Sequence, residues 1–82
     1  MILPTKHINF SQSLLGLGSY VLSQLQSPKS IDELWEKYKA DYENKIYLDR
    51  HSFENLIMTL LFLYSIGSIA EEEEEGVIKK CV

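Results

Sequence analysis

Few residues in this chain have the type and spacing for chemistry. His51 stands in the stretch Asp49-Arg50-His51, Gly16 and Gly18 form a Gly-x-Gly pair, Glu71 to Glu75 are five consecutive glutamates, and Cys81 is the single cysteine. An imidazole moves protons when a nucleophile or acid is placed beside it. No Ser, Cys or second His is placed to work with His51, and Asp49 is better occupied as a helix cap. His51 therefore lacks the other members of a catalytic site and reads as a side chain on or near the exposed side of a helix start. A Gly-x-Gly pair cradles phosphate when a strand precedes it and a third Gly or a Gly-Lys-Ser/Thr follows, and neither is present. Calcium and magnesium need carboxylates converging from a folded loop, which a homopolymer tip does not provide. One cysteine beside the C-terminus makes neither an internal disulfide nor a conventional metal cluster. The sequence predicts no enzyme, no cofactor and no metal. It leaves the glutamates as a solvated tip or an acidic probe for a basic partner surface.

The stretch that organises the rest runs from Asp49 to Ile66 without Gly or Pro. Its spacing predicts a helix capped by Asp49 and ended by Gly67. Phe53, Leu56, Ile57, Leu60, Leu63 and Tyr64 share one face, Leu61 lies on its flank, and Met58, Phe62 and Ile66 point the opposite way. Before it, Asn9 or Ser11 caps a first helix carrying Phe10, Leu14, Leu17, Gly18, Val21 and Leu25 and ending near Gln26. Gly18 falls on the packed stripe, and Gly16 on the outer side with Ser19 and Ser23. Ser30 and Glu33 form a capping box for a second helix, with Ile31, Leu34, Trp35 and Tyr38 at helical spacing and an end near Asp41. Trp35 reads as a core anchor. Lys45 to Leu48 alternate as a short strand, and a hairpin follows Gly67, its strands at Ser68 to Ala70 and Val77 to Lys80.

This order predicts a mainly α fold with a small β wing (α+β), a winged helix-turn-helix of three helices plus a C-terminal β-hairpin. The expected core is Leu14, Leu17, Val21, Leu25, Leu34, Trp35, Phe53, Ile57 and Leu60. We read residues 1–82 as a single interaction domain, with an extended N-terminal arm over 1–9 and the wing over 67–82. No apolar run is long enough for a signal peptide or a membrane span, and a lone cysteine suits a reducing compartment, so a cytoplasmic protein is expected.

A winged helix can read DNA or dock inside a complex, and charge separates the two. The net charge is −4, the third helix offers only Arg50 as a permanent cation, and the wing carries the glutamates. DNA affinity comes largely from Lys and Arg neutralising phosphates, so sequence-specific nucleic-acid binding is not expected. Both faces of the third helix are apolar, and a chain of this length supplies only one layer of cover. The predicted partner-binding residues are Met58, Leu61, Phe62 and Ile66, joined by Arg50 and, on the arm, Lys6 and His7. A DNA-binding transcription regulator and a homodimeric interaction module remain the alternatives.

Four stretches together carry a family likeness: Met1-Ile2-Leu3-Pro4 with Lys6-His7-Ile8, Ser13 to Gly18 (SLLGLG), Ile31 to Trp35 (IDELW), and Leu61 to Ile69 (LFLYSIGSI). In this order the chain resembles the small middle components of bacterial ABC-three component systems, to which Lamassu anti-phage systems are similar. Such proteins are encoded between an effector and an SMC/Rad50-like ABC ATPase. The resemblance implies a non-catalytic subunit of an antiviral defence complex that bridges the ATPase and an effector, often nuclease-like. The glutamate tip matches no motif of that family.

Overall fold

Three serines start the three helices. Ser13, Ser30 and Ser52 each hold extended backbone, and each hydroxyl accepts from the amide three residues on, at Gly16, Glu33 and Asn55, over 2.9, 3.1 and 3.1 Å. An amide at a helix start has no partner inside the helix, so each cap fixes where its helix begins. In the computed structural model, which describes residues 13–47, 49–72 and 76–81, the order is α1 (Leu14–Gln24), β1 (Lys29–Ser30), α2 (Ile31–Glu43), α3 (Phe53–Ser65), β2 (Ile69–Glu71) and β3 (Val77–Lys80). At Ser30 the predicted capping box is complete, since the Ser30 amide also donates to Glu33 Oε1 over 2.8 Å. That bond holds the Glu33 carboxyl below the usual carboxylate range.

The predicted caps at Asn9 and Ser11 lie outside the described residues, as do Phe10, the arm and Glu73 to Glu75, and Ser13 takes the capping role. Asp49 does not cap α3. The Tyr38 hydroxyl of α2 donates to the Asp49 carbonyl over 2.8 Å and accepts from the His51 amide, which holds residues 49–51 out of the helix until Ser52.

Two helices end in the same way. After α3, Gly67 is left-handed at φ 78°; its amide donates to the Tyr64 carbonyl and that of Ser68 to Leu63. After α2, Lys45 takes the left-handed position at φ 61°, its amide donating to Tyr42 and that of Ile46 to Asp41. Both are Schellman endings. The Tyr47 amide also donates to the Asp41 carbonyl, so residues 45–47 fold back on α2 and form no strand. The third strand is β1, just before α2. The sheet is antiparallel with order β1-β3-β2, pairing Lys29 with Ile78, Ser30 with Val77, and Ala70 with Lys79.

The fold is α+β, three helices with a small three-stranded antiparallel sheet. Val21, Leu25, Leu34, Leu56, Leu60, Leu63, Ile69 and Ile78 form one buried cluster, and Leu17, Tyr38 and Tyr47 a second. Trp35 packs partly buried against both. Leu14 and Phe53, expected in the core, are exposed, and so is Tyr64. The buried stripe of α3 is Leu56, Thr59, Leu60 and Leu63. It is rotated toward Thr59 because α1 packs there: a Cβ on Gly18 would lie 3.6 Å from both Thr59 Cγ2 and Leu63 Cδ2. Gly18 is thus the packing contact its position implies. Gly16 is buried as well, not on the outer side with the exposed Ser19 and Ser23.

Candidate functional site

Rotation of α3 toward Thr59 turns a row of large apolar side chains outward. Met58, Leu61, Phe62 and Ile66 are 50%, 64%, 51% and 57% exposed. Burying such a side chain is worth about 1.5–3 kcal/mol, so four in one row are a large surface to leave in water. Phe53 and Tyr64 are exposed on the same helix. Of the other predicted partner-binding residues, Arg50 is exposed in the loop before α3, whereas Lys6 and His7 lie outside the described residues.

His51 is the main correction to the sequence reading. Only 4% of it is exposed. Nδ1 lies 3.2 Å from the Asn55 side-chain Nδ2 and Nε2 lies 3.5 Å from the Tyr47 hydroxyl, and the imidazole packs edge-on against the rings of Tyr38 and Tyr47. The loop that Tyr38 pins carries the imidazole inward, where it fastens the loop to α3. Asp41, which the sequence offers only as the last residue of a helix, is buried too. It accepts from the Tyr20 hydroxyl over 2.6 Å and from Lys37 over 3.0 Å. Burial pushes its carboxyl up, but Tyr20 and Lys37 together outweigh that and hold it below the usual range. Burial and the Asp41 carboxylate push the Tyr20 hydroxyl well above the ordinary phenol value. Burial, with Tyr38 and Asp49 beside it, pushes Tyr47 up to about 12. These groups tie α1, α2 and the loop together.

Beside this cluster, α2 and residues 50–52 enclose an open cleft of about 560 Å³, lined by Trp35, Tyr38, Lys39, Tyr42, Glu43, Arg50, His51 and Ser52. The sequence reading missed it, although Trp35, Tyr38 and Tyr42 recur at helical spacing. The signal was present in Tyr42, one turn after Tyr38 and one residue beyond the predicted helix end. Among the described residues no group of three or more His, Cys, Asp or Glu is placed to hold a metal, and no helix is long and apolar enough to cross a membrane.

The family model for the ABC-three component (ABC-3C) system Middle Component 6 matches residues 3–81. The chain belongs to that family. Neither the curated proteins nor the solved structures compared with it gave a match. As a Middle Component 6 chain it is one part of a multi-protein system, which implies protein partners.

Proposed function

We propose that this chain is a non-catalytic bridging subunit of a bacterial anti-phage defence complex, set between an SMC/Rad50-like ABC ATPase and an effector, and that it docks through the outer face of α3. The observation that carries this reading is the exposure of Met58, Leu61, Phe62 and Ile66 in a chain that belongs to a middle-component family. The winged-helix reading fits as a docking block, since the charge of −4 is adverse to tracking phosphates. The buried stripe of α3 holds the helix on the domain, which leaves the outer row free for a partner. Copurification of the chain with the products of its neighbouring genes tests the proposal, run beside Phe62→Glu with circular dichroism to confirm folding. The native chain is expected to bring down an ABC-type ATPase and the folded variant to lose it. A chain that elutes alone as a dimer, or that shifts duplex DNA at low salt, replaces this reading with the homodimer or the regulator.

A further inference from the structure

The flank of α3 that faces the sheet holds an apolar cleft of about 160 Å³. Ile57, Leu60, Leu61 and Tyr64 form one wall, and Ile69 and Ile78 of the sheet form the other. A neighbouring cleft shares Ile57 and Gly76 with it and carries it on to Phe53. At 1.5 Å of rise per residue, Phe53 and Tyr64 lie about 16 Å apart along α3, so the two clefts make one groove three turns long. Leu61 and Tyr64 are more than half exposed, and a Cβ on Gly76 would meet nothing within 4 Å, so the mouth of the groove is open. At 3.6 residues per turn this flank lies about a third of a turn from Met58, Phe62 and Ile66. It is also the side away from α1, which packs at Thr59 and Leu63.

Size and charge say what fits the groove. An apolar space of about 150 Å³ takes a benzene-sized group, so the deeper part has room for one leucine- or phenylalanine-sized side chain. The rim is of one sign. Asp32 and Glu71 line it and are exposed, no Lys or Arg lines it, and no ion pair among the described residues uses either carboxylate. Lys79 of the wing is held instead by Glu72, over 3.2 Å.

We propose that this groove seats a segment of a partner polypeptide that carries one large apolar anchor, flanked by Lys or Arg that meet Asp32 and Glu71. The inference rests on the bridging reading for the class of its occupant, which membership of a multi-protein system supplies, and it gives the bridge a second surface. Charge selects a partner over a second copy, because two copies joined here would set carboxylates against carboxylates in chains of net charge −4. Residues 1–12 join the fold at α1, on the other flank of α3, so the groove is not where they leave it.

The full chain, with Tyr64 replaced by the photo-crosslinking residue p-benzoylphenylalanine, is co-expressed with the products of its neighbouring genes and irradiated, and the crosslinked peptides are sequenced by mass spectrometry. The expected crosslink joins position 64 to one of those products, at a segment with a large apolar residue and a Lys or Arg close by. Asp32→Lys combined with Glu71→Lys, checked for folding by circular dichroism, is expected to lower its yield at least about tenfold, and the milder pair Asp32→Asn with Glu71→Gln to lower it less. Copurification with Phe62→Glu reports on the outward row and the crosslink at position 64 on the groove, so failure of one reading is told from failure of the other. The proposal is overturned by the absence of a crosslink to any neighbour, by one confined to residues 1–12 or to a second copy, or by one at a segment without a cation. A yield unchanged by both charge variants overturns it as well.

Discussion

Asp41 is a buried carboxylate held by two donors, the Tyr20 hydroxyl and the Lys37 ammonium. Its folded-state value lies below the ordinary one, so the stability it contributes is full above the unfolded value of about 4 and is lost as pH falls through the folded value. Urea unfolding between neutral pH and about pH 3 is therefore expected to show Asp41→Asn destabilised by about 1–2 kcal/mol at neutral pH and less acid-sensitive than the native chain. An unchanged acid slope would remove Asp41 from the account. Thr59 makes the opposite case. Its hydroxyl is buried with no hydrogen-bond partner among the described residues, while its methyl packs toward Gly18. Thr59→Val keeps the shape and removes the orphan, so it is expected to raise stability by about 1 kcal/mol in the same unfolding assay.

At the scale of elements, the helix endings carry the next expectation. Lys45 occupies a left-handed position that costs a residue with a Cβ about 1–2 kcal/mol, whereas Gly67 occupies the equivalent position after α3 without that cost. Lys45→Gly is expected to raise the thermal midpoint modestly, the gain being trimmed by the added freedom of the unfolded chain. Loss of stability in that variant would mean that the lysine side chain supports the turn. The three helices were legible because apolar residues recur at 3.6 and because Ser30 with Glu33 spells out its own start. The first turn of α3 was not legible: Asp49 has the chemistry of a cap, and only the contact with Tyr38, 11 residues earlier, excludes it. The burial of His51 follows from the same contact. β1 has two residues and no period to read, so its pairing with β3 was hidden, whereas the alternation at Lys45 to Leu48 reads as a strand although residues 45–47 fold back on α2. The apolar row at Met58, Leu61, Phe62 and Ile66 was legible because helix α3 is apolar on both sides. The cleft was not, since it joins α2 to a loop.

For the whole molecule, the sheet and the inner stripe of α3 close the core, and the remaining apolar residues of α3, the half-buried Ile57 aside, face outward from a chain that bears net negative charge. A surface of that kind gains from a partner by removing apolar area from water, and a central aromatic commonly dominates such an interface. The measurement that tests this most directly is the dissociation constant of the purified chain for its proposed ABC-type ATPase partner, compared with that of folded Phe62→Glu. Saturable binding that weakens at least about thirtyfold in the variant is the expected result, the loss of one aromatic anchor worth about 2 kcal/mol or more. Equal affinity for the two chains would contradict it and place the interface elsewhere on the molecule.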